Sequence, residues 1–187
     1  MRIFIAGATG VLGVRLVALL VADGHMVAGM TRTPSKAGLL RGIGAEPVVC
    51  DVFDLDALTR ALAAFGPEVV FHQLTDLPDD EADLARFGDR NDRMRGEGTR
   101  NLLAAAATAR ADRVIAQSIA WELSSEHRRA VTATHERAVL HAGGVVIRYG
   151  QLYGPAPSTP PPRRNRRASM SMTLPGGPRP RSGYRRG

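Results

Sequence analysis

The amino-acid sequence predicts a doubly wound α/β fold: a parallel sheet with helices on both faces, followed by a disordered Arg/Pro-rich tail. Three observations carry this. Strand-like and helix-like stretches alternate along residues 1–154. A loop of three evenly spaced glycines, Gly7-x-x-Gly10-x-x-Gly13, joins the first strand to the first helix. Past Pro155 the periodicity stops, and proline and arginine take over.

The elements follow in order. "RIFIAG" is a short apolar run rich in β-branched and aromatic residues, closed by glycine, and reads as a buried strand. "VLGVRLVALLVADG" places Val14, Val17, Leu20 and Val21 on one helical stripe, with Gly24 as its stop. "HMVAGMTR" is the second strand, "SKAGLLRGIG" a short helix and "EPVVCD" the third strand. "DLDALTRALAAFG" is a helix with Asp54 as N-cap and Gly66 at its end. "PEVVFHQL" is the fourth strand, and "DDEADLARFGDR" is polar, helical or irregular. A long helix over 91–111, a fifth strand "DRVIAQS", a helix "AVTATHERAVLHAGG" and a sixth strand "GVVIRYG" complete the body. Such alternation with short loops implies right-handed crossovers and a parallel sheet.

Composition narrows the function. Apolar residues make up 44% of the chain and charged residues 23%, as in ordinary globular proteins. The net charge of +7 suggests a polyanion partner until it is located. Eight arginines and no acidic residue lie past residue 154, whereas residues 1–154 hold 17 basic and 18 acidic side chains. The body therefore has no electrostatic reason to bind nucleic acid or a membrane surface. The single cysteine, Cys50, is expected to be a buried small hydrophobe. No stretch has the pattern of a secretory signal or the length of a membrane span, so a cytoplasmic location is expected.

The glycine loop carries the chemistry. Gly7 allows a tight turn, Gly10 lets backbone N–H groups approach a pyrophosphate, and Gly13 lets the helix pack close to the strand. The helix N-terminus then offers free N–H groups and a partial positive charge to phosphates. Val14 and Arg15 follow Gly13 where a mononucleotide P-loop needs Lys and Ser/Thr, so a dinucleotide is the expected ligand.

With these motifs in order the chain resembles the extended or atypical short-chain dehydrogenase/reductase superfamily, the NAD(P)-dependent epimerase/dehydratase group, over residues 1 to about 155. "GATGVLG" resembles its cofactor loop, here Gly7, Ala8, Thr9, Gly10, Val11, Leu12 and Gly13. "CDVFD" resembles the acidic position that contacts adenine, so Asp51 with Val52 beside it. "VVFHQLTD" resembles the strand end that lines the cofactor: His72, Gln73, Leu74 and Thr75. "NDRMRGEGTRNLLAAA" resembles the following helix through Asn91, Gly98, Thr99 and Asn101. "RVIAQSIAW" and "VVIRYGQLYGP" resemble the strands entering the catalytic and substrate regions. The resemblance implies a Rossmann-type fold and a nicotinamide dinucleotide, and names no substrate or oligomeric state. Read without it, Asp51 also suits a turn and His72 a satisfied core position.

The end of the second strand bears on which dinucleotide. An acidic residue there accepts hydrogen bonds from the ribose 2′-OH and repels a 2′-phosphate. This chain reads "GMTRTPSK" instead. Arg32 can pair with a 2′-phosphate, with Thr31 and Lys36 assisting, so NADP(H) is expected, with NAD(H) as the alternative. The competing reading makes Arg32 a solvated loop charge.

Catalysis is less well provided for. Catalytic members of the superfamily use Tyr-x-x-x-Lys, in which the lysine cation lowers the tyrosine pKa. The one lysine is Lys36, and the tyrosines Tyr149, Tyr153 and Tyr184 all follow the helix in question. Aligning Glu136 with the acidic residue after the motif puts Arg128 at the Tyr position and Thr132 at the Lys position. Ser118 is the remnant of the catalytic set, and it equally suits a local hydrogen bond. His127, His135 and His141 with Glu122, Glu126 and Glu136 read as a solvated helix face, and no metal-ligand spacing stands out.

The tail, residues 155–187, reads as out of frame, in place of a substrate domain. Members of the family run from "YGP" into Gly-Thr, and GGC CCC GGC ACC encodes Gly-Pro-Gly-Thr. Loss of one C leaves GGC CCG GCA CC, the Gly-Pro-Ala-Pro of Gly154 to Pro157. Residues 168–178, "ASMSMTLPGGP", can be encoded so that the shifted frame reads Ile-His-Val-Asp-Asp, similar to a stretch of the family's substrate domain. An open sheet edge would follow. The rival readings are a non-enzymatic NADP(H) sensor and a basic arm that binds nucleic acid, which lacks interleaved aromatics.

Overall fold

A computed structural model describes residues 1–76 and 84–150 and the strand Ser171–Thr173, with only the backbone described at 84–87 and 171–173. The strands are β1 (Arg2–Ala6), β2 (Met26–Thr31), β3 (Glu46–Val49), β4 (Val69–His72), β5 (Arg113–Ile119), β6 (Val145–Tyr149) and β7 (Ser171–Thr173). The helices are α1 (Val11–Ala22), α2 (Ala37–Gly42), α3 (Leu55–Phe65), α4 (Leu84–Arg93), α5 (Thr99–Thr108) and α6 (Glu126–His141). They build one sheet in the order β3-β2-β1-β4-β5-β6-β7. The first six strands pair in parallel, and β7 pairs antiparallel to β6 with Met172 opposite Ile147. The strand order reverses between β1 and β4, which makes their C-terminal ends the switch point where such sheets bind ligands.

Alternation along β1 explains the two covered faces. Ile3 and Ile5 pack with Val17 of α1, Val27 of β2 and Leu40 of α2. Phe4 and Ala6 point the other way, into Leu58, Leu62 and Phe65 of α3 and Leu102 and Ala105 of α5. Asp54 caps α3, its Oδ1 accepting from the Ala57 N–H at 2.9 Å, and Gly66 ends it at φ 62°. Cys50 is buried, and burial pushes its thiol pKa up.

Two helices differ from the expected ones. The helix read over 91–111 belongs to a longer run, α4 and α5 joined by a π-helical turn at Met94–Gly98. Gly96 and Gly98 loosen the α-helical pitch there, and a Cβ on Gly98 would sit 3.1 Å from the Met94 sulfur. Helix α6 begins at Glu126, four residues before the expected Ala130, because Ser125 caps it by accepting from the Arg128 N–H. The boundary at residue 154 and the rest of the tail expected to be disordered lie outside the described residues, whereas Ser171–Thr173 form a strand. Within the tail, β7 covers the β6 edge that was expected to stand open.

Candidate functional site

A cleft of about 650 Å³ opens where β1, β2, β3 and β4 end. Gly7, at φ +87°, turns the chain out of β1, and a Cβ there would lie 2.5 Å from the Gln73 carbonyl oxygen. A Cβ on Gly13 would fall on the Gly7 carbonyl oxygen, so only glycine lets α1 come this close. Gly10 differs: a Cβ there would meet only the Gly7 oxygen, at 3.4 Å, and otherwise open space. Gly10 is also the N-cap of α1, and no side chain caps that helix. The first N–H groups of α1 are thus left for a ligand at the cleft, with no acidic residue in the turn to oppose an anion.

The remaining walls come from the next strand ends. Thr9 and Val11 face Thr31 and Arg32, and the Thr9 and Thr31 hydroxyls share a hydrogen bond of 3.1 Å. Asp51 lines the cleft while its Oδ1 accepts from the Phe53 N–H at 3.0 Å, so it is a turn residue as well. Val52 is buried beside it, its carbonyl accepting from Asn101 Nδ2 at 3.0 Å. Gln73, Leu74 and Thr75 complete the wall after β4. Gln73 is 7% exposed, and among the described residues neither its amide oxygen nor its amide nitrogen has a hydrogen-bond partner. A buried amide left this way fits a ligand that both donates and accepts. The glycine cradle and the uncapped helix likewise fit a pyrophosphate.

Ala8, Leu12 and Gly13 do not line the cleft; Ala8 is buried beneath the loop, its N–H donating to the Met30 carbonyl at 3.2 Å. Sequence reading missed Asp76. This side chain lines the cleft and pairs with Arg32, Nη2 to Oδ1 at 3.0 Å. Arg90 of α4 grips the same carboxylate through Nε at 3.0 Å and Nη2 at 3.2 Å. No local pattern announces a contact between residues 32, 76 and 90; only the fold brings them together.

Beneath the cleft lies a polar interior, and it corrects the reading of α6. Glu122, Glu126, His127 and His141 are exposed as expected, but His135 is 2% exposed and Glu136 9%. The face of α6 that carries them packs against β5 and the π-helical turn, so these two residues are not solvated. The Leu74 N–H donates to His72 Nδ1 at 3.4 Å, which places the His72 proton on Nε2. His72 Nε2 then donates to Thr99 Oγ1 at 3.0 Å, and the Thr99 hydroxyl donates to His135 Nδ1 at 2.8 Å. His135 Nε2 donates to the Gln117 carbonyl at 3.0 Å. Every proton in this chain has one place, and both rings are neutral. Burial holds His72 well below the usual histidine range and His135 at about 4.

Ser118, the catalytic remnant, is 1% exposed and donates to Glu136 Oε1 at 2.6 Å. Arg148 on β6 holds the same carboxylate, Nε at 2.9 Å from Oε1 and Nη2 on Oε2. Arg95 in the π-helical turn is 8% exposed, its Nη1 without a partner among the described residues, in the field of Glu136 and Asp92. Thr132, at the aligned lysine position, has a buried hydroxyl with no partner among the described residues.

Known proteins resemble this chain in sequence and in fold. A family profile described as NAD(P)H-binding covers residues 7–142. The chain belongs to that family. Its organisation is that of a short-chain dehydrogenase/reductase domain of the oxidoreductase/epimerase-like kind, and its ligand class is the nicotinamide dinucleotide. This NAD(P)H-binding domain is 38% identical over 179 residues to a 3-diazoavenalumate denitrifying reductase of Streptomyces sp., covering 83% of this chain and 57% of the reductase. The UDP-glucose 4-epimerase of Thermus thermophilus, solved with NAD, superposes with a TM-score of 0.63 at 21% identity, over 76% of this chain and 51% of the epimerase. A short-chain dehydrogenase/reductase superfamily protein of Agrobacterium tumefaciens, with NAD bound, gives 0.60 at 25% identity, over 78% and 48%. The chain thus spans about half the length of these relatives. No helix among the described residues is long and apolar enough to cross a membrane.

Proposed function

We propose that this domain is a cytoplasmic NADP(H)-holding module of the reductase type, with catalysis impaired in this chain. The observation that carries the reading is Arg32: it follows β2 directly, lines the cleft and is 47% exposed, and neither β2 nor the turn after it carries an acidic residue of its own. In this reading Gly10 and the first turn of α1 hold the pyrophosphate, and Asp51 and Val52 flank the adenine. Gln73 anchors the ligand through its two unpartnered amide atoms, and Arg32 with Thr31 meets the 2′-phosphate. The nicotinamide ring, when bound, supplies or accepts the hydride.

The chain's own groups provide poorly for the accompanying proton transfer. Lys36 lies on the β2 side, far in sequence from α6, and Ser118 is committed to Glu136. A sensor that binds NADP(H) without turnover is favoured by the same two facts. Isothermal titration with NADP⁺ and NAD⁺ tests the cofactor reading. Arg32→Ala is expected to weaken NADP⁺ binding about tenfold or more, as for one lost charge-assisted contact, and to leave NAD⁺ binding unchanged. Equal affinity of the native chain for the two cofactors would sink it.

The domain division is proposed with it: residues 1–154 form the binding domain, and residues 155–187 are read out of frame where a substrate domain belongs. The Gly-Pro-Ala-Pro run at 154–157 and the shifted reading of 168–178 support this. Sequencing the gene across codons 150–187 is expected to locate one missing base near codon 155; a confirmed frame removes the idea.

A further inference from the structure

The proposed NADP(H) preference rests on Arg32, yet Arg32 does not face the cleft rim alone. Its Nη2 lies 3.0 Å from Asp76 Oδ1, and the Asp76 side chain is only 10% exposed. That carboxylate also lines the cleft. It is held by Arg32 and by the two-point grip of Arg90, and the backbone N–H of Asp76 donates to Asn91 Oδ1 at 3.2 Å. An acidic group that in many dinucleotide sites stands at the end of β2 is here delivered from the end of β4, onto the arginine that took its place.

We propose that Asp76 is the residue that limits discrimination between NADP(H) and NAD(H). Its carboxylate cancels part of the Arg32 charge and is placed to accept from a ribose hydroxyl. A 2′-phosphate must share Arg32 with it, against like-charge repulsion. Arg90 offsets that repulsion by holding the carboxylate from the far side. A 2′-phosphate therefore meets an Arg32 whose charge Asp76 already partly answers, so the preference for NADP(H) stops short of excluding NAD(H). This deepens the cofactor reading given above and rests on it.

The experiment is titration calorimetry of the full chain with NADP⁺ and NAD⁺, reading the ratio of the two dissociation constants, with circular dichroism as the folding check. Asp76→Asn keeps the shape and one acceptor for Arg32 while removing the charge. It is expected to raise the preference for NADP⁺ on the order of tenfold, through tighter NADP⁺ binding with NAD⁺ unchanged or weaker. An unchanged or lowered ratio overturns the proposal. Should Asp76→Asn fail to fold, Arg90→Gln tests the same charge balance: the ratio is expected to fall several-fold, and an unchanged ratio overturns the proposal. If Arg32→Ala leaves the ratio as it is, the cofactor reading itself falls and this inference falls with it. If Arg32→Ala lowers the ratio while Asp76→Asn does not raise it, only this inference falls.

Discussion

Gly10→Ala is expected to leave the fold intact and to remove dinucleotide binding. The added methyl meets nothing closer than the Gly7 oxygen at 3.4 Å, an ordinary contact, so the melting temperature is expected to stay within about 2 °C of the native chain. The methyl would stand at the uncapped start of α1, where backbone must approach the pyrophosphate. A loss of at least about tenfold in affinity for both NADP⁺ and NAD⁺ follows, since both present the same pyrophosphate. Gly13→Ala is the contrasting variant: its methyl would overlap the Gly7 oxygen and lie 2.8 Å from the Ala8 carbonyl carbon, so stability and binding are expected to fall together. Thermal melts and calorimetric titrations of the two variants decide it. Native-like binding by Gly10→Ala would mean that the cradle does not hold the phosphates.

The second large effect is loss of stability in acid. His72 and His135 are neutral and buried, linked through the Thr99 hydroxyl. As the pH falls below about 6.5 the unfolded chain takes up protons first, because both folded-state values are depressed. Their contribution is therefore full above 6.5 and declines as the pH falls below it, for His135 until about 4. For His135 alone, held at about 4, the loss is on the order of 3 kcal/mol. A protonated His135 could no longer accept from Thr99, so the chain of hydrogen bonds would break at its centre. Glu136, held below the usual carboxylate range by Arg148 and Ser118 against the opposing effect of burial, acts in the same direction at still lower pH. Urea unfolding between pH 7 and pH 4 is expected to show this decline, and His135→Gln to flatten it. A midpoint that does not move over that range would contradict the neutral-ring assignment.

The fold was legible because its signals are local. The apolar alternation of β1, the Asp54 cap and the glycine spacing each act within a few residues, and each element they predict is present. The cleft wall was legible for a related reason: residues just past parallel strand ends converge wherever the sheet order reverses. What escaped depends on distant pairing. His135 and Glu136 carry polar side chains on a helix of mixed character, and composition alone reads such a face as wet. Their burial rests on partners 36 residues away for His135 and 18 and 12 away for Glu136. The Arg32–Asp76 contact spans 44 residues and two strand ends, and no spacing in the sequence encodes it. Helix α6 began early for the opposite reason: Ser125 is a local signal, overlooked among the polar residues around it.

The π-helical turn at Met94–Gly98 has a bearing on what changes the chain can tolerate. It sets the phase of α5 relative to α4, so that each helix presents its own face to α6 and the core. Upstream, Asp92 meets His127 of α6; downstream, Thr99 bridges His72 and His135. Removing one residue between them would rotate one half against the other by about 100°. One of the two contacts would then be lost whichever half kept its place. This run should accept changes of side chain far more readily than a change of length.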